Sequence, residues 1–388
     1  MEVGIDKMSF FSTQYYIDMV DLAHARGEEP DKYLIGIGQT QQAVAPATQD
    51  VVTMGANAAD QMLTQADRAE IEEVIFATES GVDQSKSAAV YVQKLLGINR
   101  YARTIELKQA CYSGTYGLMQ ARDYVTLHPK AKVLVIASDI ARYGINTGGE
   151  VTQGAGAVAM LVTANPTIAT LNQDNVFMSD EIMDFWRPND SSTAVVDGKF
   201  SANIYRDFFK EVWERYQSQT GRDLNSFKAL VFHLPFTKMG LKALRDVLPE
   251  VDEQKQHALM DSFEASRRYN KQIGNLYTGS AYLSLMSLLL NDDTLAAGDE
   301  LGLFSYGSGA EGEMYSLTLQ PEYNQGLIKE QLPNLLAQRT QLSIAEYEKM
   351  FDSVVLGSAD RELDITHDHA KFVLGGVKDQ KRQYVEQF

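Results

Sequence analysis

The chain contains a single cysteine, Cys111, among 388 residues, so no disulfide can form within it. Long hydrophobic runs are also missing, because the longest one, 281–290, ends at three polar residues and is too short to span a bilayer. The first residues lack both the basic region and the apolar core of a secretory signal. We therefore expect a cytoplasmic protein.

Basic residues are scarce relative to acidic ones. Lysine and arginine number 35 against 52 aspartates and glutamates, which gives a formal net charge of −17. This balance disfavours nucleic acid or an anionic membrane as a partner, so any anionic ligand would need a local basic pocket. Hydrophobic residues make up 44% of the chain, a content typical of globular proteins, and the length suggests two or three domains.

Helix-like and strand-like segments alternate along the chain. The apolar patterns predict helices over 51–66, 85–96, 205–219 and 275–290, with Gly97 placed to end the second one. They predict strands over 73–78, 103–107, 131–138, 229–232 and 300–306. This order is typical of an α/β fold with parallel sheets.

Two short similarities suggest an internal duplication. Residues 112–115 read YSGT and 277–280 read YTGS, and each opens a predicted helix. Residues 154–157 read GAGA and 307–310 read GSGA, and each precedes a predicted strand. Because the pairs occur in the same order, we expect two related halves, 1–165 and 166–388, with Asn165-Pro166 at the hinge.

Three chemically reactive side chains follow predicted strands. Glu79, Cys111 and His233 each lie just beyond the carboxyl end of a strand. Ligands of open α/β sheets bind at that edge, which predicts that the three share one site. Each also has an ordinary interpretation, as a loop acid, a buried apolar thiol or a core histidine. Together they favour covalent acyl chemistry with a cysteine nucleophile.

The position of Cys111 predicts an unusual acidity. The residue precedes a predicted helix, where unpaired amides and the positive end of the helix dipole favour a thiolate. We therefore expect its pKa to be lowered toward neutrality. The alternative is an inert, buried cysteine.

Five segments in order carry a family resemblance. They are 78–81 (TESG), 110–115 (ACYSGT), 232–236 (FHLPF), 274–278 (GNLYT) and 304–309 (FSYGSG). The chain resembles 3-hydroxy-3-methylglutaryl-CoA synthases of the shorter bacterial form, in the thiolase superfamily. It differs at Gln109-Ala110, where many eukaryotic members have Asn-Ala.

The resemblance implies a thiolase-like fold with two duplicated halves in five αβαβα layers, and a homodimer. It implies condensation of acetyl-CoA with acetoacetyl-CoA and water to 3-hydroxy-3-methylglutaryl-CoA and CoA, a step of the mevalonate pathway. Cys111 would carry the acetyl group, Glu79 would act as general base, and His233 would position acetoacetyl-CoA and act as general acid. The thioesters are substrates, and no cofactor is expected.

Further residues would contact the substrate. The glycines around Ser308 allow close backbone approach, and the amides of Cys111 and Ser308 would stabilise an enolate oxygen. Asn275 is by itself a good helix cap, and the resemblance places it near the acetoacetyl group. The remaining expected binding residues are Ala110, Tyr143, Asp184, Gly307 and Lys238, the last of them toward a CoA phosphate.

Two other motifs carry weaker signals, and two alternative functions share part of the pattern. His367-Asp368-His369 lacks a supporting cluster, so we expect a polar loop and no metal site. Gly36-Ile37-Gly38 is an incomplete dinucleotide fingerprint. A β-ketoacyl synthase of the type that starts fatty-acid synthesis would share Cys111, His233 and Asn275 but would not need Glu79. A non-catalytic thiolase-like binding protein would keep the fold alone.

Overall fold

The computed structural model describes residues 1–388. The strands are β1 (Val3–Phe11), β2 (Tyr15–Asp18), β3 (Gln41–Val44), β4 (Ile71–Ala77), β5 (Arg103–Leu107), β6 (Lys132–Ala141), β7 (Gly154–Ala164), β8 (Ala169–Leu171), β9 (Val176–Ser179), β10 (Phe185–Trp186), β11 (Val195–Val196), β12 (Ala229–Phe232), β13 (Glu300–Gly307), β14 (Glu311–Leu319), β15 (Thr340–Gln341), β16 (Arg361–Glu362), β17 (Phe372–Lys378) and β18 (Lys381–Glu386).

The α-helices are α1 (Met19–Ala25), α2 (Val51–Asp60), α3 (Gln65–Glu70), α4 (Ala88–Leu95), α5 (Ser113–Leu127), α6 (Gly198–Thr220), α7 (Thr237–Val247), α8 (Glu253–Ser266), α9 (Asn270–Ile273), α10 (Ser280–Asn291), α11 (Gln331–Ala337) and α12 (Ile344–Asp352). None of them is both long and apolar enough to cross a membrane.

The two halves repeat one pattern of strand pairing. In the first half the order is β1-β7-β6-β4-β5, with β6, β4 and β5 parallel and β7 antiparallel to both its neighbours. In the second half the order is β8-β14-β13-β12, with β13 and β12 parallel and β14 antiparallel to both β8 and β13. Strand β4 therefore corresponds to β12, and the pairing of β1 with β8 joins the halves.

Helices cover both faces of each half. Gly55 of α2 packs on Phe76, whereas Gly117 of α5 packs on Ile75. Because adjacent residues of a strand point to opposite faces, α2 and α5 lie on opposite sides of the first sheet. In the second half Leu303 joins the core shared with α5 and α10, and Phe304 joins the core of α6 and α7. The layers are therefore helices, sheet, the central pair α5 and α10, sheet, and helices, as expected.

Some predicted elements differ from the structure. The predicted helix 51–66 is two helices, because α2 ends at Asp60 and α3 begins anew with Thr64 as its cap. The predicted helix 275–290 begins as a short turn, Tyr277–Gly279, before α10. Gly97 has a left-handed backbone just after α4, as its predicted role in ending that helix requires. The expected boundary near residue 165 falls between β7 and β8 and stays a prediction.

Candidate active site

The fold brings the predicted reactive residues to strand ends. Glu79 lies two residues beyond β4, and His233 directly follows β12, the corresponding strand of the other half. Cys111 lies between β5, which is parallel to β4, and the start of α5. The amino-terminal ends of α5 and α10 are in close contact, because Gly114 packs against the carbonyl of Thr278. The edge used by the site is thus the one that parallel sheets ordinarily use.

The thiol of Cys111 contacts the carboxylate of Glu79. Its Sγ donates to Glu79 Oε1 at 3.4 Å. The other carboxylate oxygen, Oε2, accepts from Arg187 Nη2 at 3.3 Å, and the Glu79 side chain is only 6% exposed. A thiol and a carboxylate are therefore in direct contact, the arrangement that covalent acyl transfer needs between a nucleophile and its base.

Burial determines the acidity of this pair. Burial and the neighbouring Asp139 raise the pKa of Glu79 to about 8, against the opposing effects of Arg187 and Cys111. Burial also raises the pKa of Cys111 well above its usual value, and the charges of Glu79 and Asp139 add to this effect. The expected thiolate at the helix start is therefore wrong for the resting protein. Two nearby carboxylates and desolvation outweigh the helix dipole.

Asp139 is an interior carboxylate that joins the halves. It is fully buried and accepts hydrogen bonds from Thr78 Oγ1 at 2.9 Å, Glu79 N at 2.9 Å and Ser80 Oγ at 2.8 Å. Thr278 donates to it through both its amide and its hydroxyl. Burial raises its pKa in spite of these donors. Asp139 therefore ties the loop of Glu79 to the turn that precedes α10.

The glycine-rich bend after β13 packs against the cysteine turn. A side chain on Gly307 would lie 2.6 Å from the amide of Tyr112, so glycine is required there. The turn itself is closed by the Tyr112 amide, which donates to Gln109 O at 3.0 Å, and Ala110 adopts a φ of 42° within it. The amide of Ser308 has no acceptor within the protein. The bend thus leaves a free donor beside the nucleophile's turn.

Asp184 holds this bend from behind. It is fully buried, and its Oδ1 accepts from the Gly309 amide at 2.9 Å. Its Oδ2 accepts from Ser201 at 2.8 Å and from the Tyr306 hydroxyl at 3.2 Å. Both oxygens are therefore occupied by protein donors, and we assign Asp184 a positioning role in place of the substrate contact expected from the sequence.

Asn275 and Tyr143 form another wall of the site. Asn275 is buried, and its Oδ1 accepts from the Tyr277 amide and from Ser280 Oγ, each at 2.9 Å. Its Nδ2 contacts the Tyr143 hydroxyl at 3.4 Å. The rings of Tyr143, Phe185 and Tyr277 pack edge to face with centroids 5.9–6.1 Å apart. Asn275 is therefore not the helix cap that the sequence predicted, because Leu276 and Gly279 occupy the cap positions of the turn and of α10. Its side chain instead closes a turn ahead of them and contacts a predicted substrate residue.

His233 occupies an apolar setting. Its amide donates to Phe304 O and its carbonyl accepts from Tyr205, while its Nδ1 has no partner. Burial lowers its pKa to about 3, so the imidazole is neutral in the resting protein. Lys238 is half-buried in the first turn of α7 and makes no ion pair, which leaves its predicted phosphate contact a prediction.

Comparisons with known proteins agree with this geometry. The amino-terminal model of hydroxymethylglutaryl-coenzyme A synthase matches residues 1–167, and the carboxy-terminal model matches 172–266 and 253–360. The hydroxymethylglutaryl-CoA synthase of Enterococcus faecalis is 48% identical over 99% of this chain and 100% of its own length. The chain belongs to the hydroxymethylglutaryl-CoA synthase family.

Solved structures extend the likeness to the whole fold. A crystal structure of an HMG-CoA synthase complexed with CoA has a TM-score of 0.97 and 45% identity, with full coverage of both chains. MvaS in complex with 3-hydroxy-3-methylglutaryl coenzyme A has a TM-score of 0.89 and 33% identity, covering 100% of this chain and 99% of its own. The thiolase-like fold predicted from the sequence is thereby confirmed.

Membership of the hydroxymethylglutaryl-CoA synthase family decides between the alternative functions. The chain is a condensing enzyme of the acyltransferase type, so a non-catalytic binding protein is the wrong interpretation. The β-ketoacyl synthase alternative is disfavoured by the same match and by Glu79, which that chemistry would not need. Direct contact between Glu79 and Cys111 agrees with the choice.

Two residues of the site were missed by sequence reasoning. Asp139 follows the predicted strand 131–138 directly, so the strand-end rule that selected Glu79 could have found it. Arg187 had no such signal, because it is brought to Glu79 by the hairpin of β10 and β11. In the segment His367-Asp368-His369, Asp368 is buried and accepts from Thr48 and Gln49, so this aspartate anchors a loop.

Proposed function

We propose that this chain condenses acetyl-CoA with acetoacetyl-CoA and water to 3-hydroxy-3-methylglutaryl-CoA and CoA, and so supplies the mevalonate pathway. The contact of 3.4 Å between Cys111 Sγ and Glu79 Oε1 carries this proposal. It pairs a nucleophile that can hold an acetyl group with a base that can reach that group's methyl protons. Relatives named for this activity cover the full chain.

In the first step Cys111 attacks the acetyl carbonyl. The thiol proton moves to Glu79, the new carbon–sulfur bond forms, and the bond to CoA breaks. CoA then leaves as a thiol that carries the proton. Glu79 suits this transfer because it accepts the hydrogen bond of the Cys111 thiol, and its pKa of about 8 makes it a stronger base than an ordinary carboxylate.

In the second step Glu79 removes a proton from the acetyl methyl group. The negative charge spreads onto the thioester oxygen, where backbone amides can stabilise it. The free amide of Ser308 and the amide of Cys111 are the donors we assign to this oxygen. The carbon then attacks the ketone of acetoacetyl-CoA, and the resulting alkoxide takes up the proton that Glu79 had removed, which leaves Glu79 ionised again.

His233 serves the second substrate. A neutral imidazole at the end of β12 is suited to a single hydrogen bond with acetoacetyl-CoA. Its low pKa makes positioning the stronger part of its expected role, because an imidazolium ion is absent near neutral pH. Water finally hydrolyses the Cys111 thioester and restores the thiol.

The remaining expectations are proposals of the same kind. Asn275 and Tyr143 line the acetoacetyl group, Ala110 and Gly307 shape the backbone around the acetyl group, and Lys238 meets a CoA phosphate. The reaction as written needs no cofactor. A cytoplasmic location stays a prediction.

We propose a homodimer formed through the edge of the first sheet. Strand β5 is the last strand on that side, and Ile105 on it is 47% exposed. Tyr116 of α5, close in sequence to the nucleophile, is 45% exposed. An open edge with exposed apolar residues favours pairing with a second copy. Light scattering of the protein and of Ile105→Lys tests this, with a dimer and a weakened dimer expected; monomeric wild-type protein would contradict it.

One assay tests the reaction. The protein is incubated with both thioesters, and loss of acetoacetyl-CoA absorbance is followed together with release of free CoA thiol. Acetyl-CoA alone should leave one acetyl group on the Cys111 peptide by mass spectrometry, and Cys111→Ala should leave none. Wild-type protein with no adduct and no thiol release would remove the proposal.

A further inference from the structure

Residues 184–187 form a short segment that touches both halves of the site. Asp184 holds the Gly309 amide, and Phe185 packs against Tyr143 and Tyr277. Arg187 then reaches Glu79. The segment is one side of a small hairpin in which β10 pairs only with β11. The segment therefore contacts the glycine-rich bend, the rings of Tyr143 and Tyr277, and Glu79.

The guanidinium of Arg187 donates two hydrogen bonds to Glu79. Its Nη2 donates to Glu79 Oε2 at 3.3 Å and also makes a short hydrogen bond to the backbone carbonyl of Glu79. The opposite oxygen, Oε1, accepts from the Cys111 thiol. Arg187 thus links one carboxylate oxygen of Glu79 to the backbone of the same residue, which fixes the direction of the other oxygen. That direction is toward the nucleophile.

Arg187 also balances the charge of the site. Glu79 and Asp139 are both buried, and every donor to Asp139 is a neutral amide or hydroxyl. Arg187 is the one basic side chain in ion-pair contact with Glu79, and its own side chain is 17% exposed. An ionised carboxylate in such a place is costly without a paired cation.

We propose that Arg187 is a positioning residue that aims Glu79 at Cys111 and raises the fraction of Glu79 that is ionised for the proton transfers of the reaction. The proposal rests on the function proposed above and assigns a role to a residue that the sequence did not single out. It predicts that the base, and not the nucleophile, is what Arg187 serves.

The groups that face Glu79 define how the reaction should depend on pH. They are the Cys111 thiol before α5, Asp139 on β6, Arg187 beside β10, and the hydroxyls of Tyr143 and Tyr277. Among them Arg187 is the cation, and it lowers the pKa of Glu79. Removing Arg187 should move the midpoint of Glu79 ionisation to a pH that is higher by about one to two. Because less Glu79 is then ionised at neutral pH, the condensation rate there should fall on the order of 10- to 100-fold.

The experiment measures single-turnover condensation by pre-acetylated enzyme between pH 6 and 10. We expect Arg187→Gln to be slower by about 10- to 100-fold at pH 7 and to recover toward wild-type rate at high pH. Arg187→Lys should keep a midpoint near that of wild type, since it keeps the cation. Two controls should leave the profile unchanged: Trp186→Ala on the same hairpin, and Arg206→Gln, which removes an exposed ion pair with Asp246.

Three results would overturn the proposal. One is an Arg187→Gln profile with an unshifted midpoint, whether or not the rate falls equally at every pH. Another is a shift in Arg187→Lys as large as that in Arg187→Gln. The third is a further loss of condensation when Arg187→Gln is added to Glu79→Gln, which would place Arg187 outside this pair.

Failure of this inference is distinguishable from failure of the proposed function. If wild-type enzyme acetylates and condenses but Arg187→Gln shows no shift, only the role of Arg187 is lost. If wild-type enzyme gives no acetyl adduct on Cys111, the function itself is lost. Should Arg187→Gln not fold, Arg187→Lys still tests the claim. Lysine keeps the cation but not the planar guanidinium that contacts both the side chain and the backbone of Glu79, so we expect a lower rate than in Trp186→Ala at an unchanged midpoint. Equal rates in the two variants would overturn the aiming role.

Discussion

Glu79 and His233 occupy corresponding places in the two halves and yet differ in their surroundings. Each follows the same strand of its half, β4 or β12. Burial disfavours the charged form of both, so it raises the pKa of Glu79 to about 8 and lowers that of His233 to about 3. One physical cause thus produces opposite shifts in an acid and a base.

The difference lies in the neighbours of the two residues. The Glu79 side chain contacts a thiol and a guanidinium, and the Glu79 amide donates to the carboxylate of Asp139. By contrast, only burial shifts the pKa of His233, whose Nδ1 is unpartnered. A residue among charged groups can gain and lose protons near neutral pH, and a residue in an apolar setting stays in one form. In the proposed reaction, one half of the duplicated fold would therefore supply a proton carrier and the other half a hydrogen-bonding group that stays neutral.

Glu79→Gln should cause the largest loss of condensation rate. The amide cannot accept the methyl proton, so we expect condensation to fall by roughly 10²- to 10⁴-fold. Acetylation of Cys111 should persist at a lower rate, because the thiol remains in place. Stopped acetylation reactions analysed by mass spectrometry, set beside turnover with both thioesters, separate the two steps. Unchanged turnover would deprive Glu79 of its proposed role.

His233→Ala should have a smaller and different effect. Loss of one buried hydrogen bond to substrate costs about 1–3 kcal/mol, which corresponds to roughly 5- to 150-fold in affinity. We expect this loss in KM for acetoacetyl-CoA, with acetylation by acetyl-CoA unaffected. A variant that keeps its KM and instead loses acetylation would assign His233 to the nucleophile.

Much of this arrangement could be predicted from local sequence. The buried strands that end before Glu79 and His233 show as short apolar runs, and the paired YSGT and YTGS segments mark the corresponding helix starts. Such patterns are readable because strand and turn preferences act over a few neighbouring residues. Parallel pairing of β4 with β5 then places Glu79 and Cys111 at one edge. His233 follows a strand of the other half, which no parallel pairing joins to β4.

The electrostatics of the site could not be predicted in this way. The pKa of Cys111 depends on carboxylates that lie far from it in sequence, Glu79 and Asp139, and so the local argument from the helix start gave the wrong direction. Arg187 comes to Glu79 from a hairpin outside the main sheet. Both contacts exist only once the chain has folded, so no periodicity reports them.

The pH dependence of condensation should follow the ionisation of Glu79 and should not depend on His233. Since the base must be ionised, the single-turnover rate of acetylated enzyme should rise about tenfold per pH unit below 8 and level off above it. His233, with a pKa of about 3, adds no inflection near neutral pH. The residual rate of Glu79→Gln should be flat. A second inflection near pH 6.5 that disappears in His233→Gln would show that the histidine titrates.

Substitutions of Glu79 and His233 should change the pH dependence of Tm in opposite directions. Between the unfolded pKa of Glu79, about 4.3, and its folded value of about 8, the native protein binds more protons, so rising pH destabilises it. For His233 the unfolded chain binds more protons between its pKa of about 6.5 and the folded value of about 3, so falling pH destabilises the protein. Relative to wild type, Glu79→Gln should therefore gain Tm as pH rises from 5 to 8, and His233→Gln should gain Tm as pH falls from 7 to 5, each by roughly a few degrees. Scanning calorimetry of both variants across this pH range measures the two trends in Tm. If both trends ran in the same direction, burial would not be what sets the pKa values of Glu79 and His233.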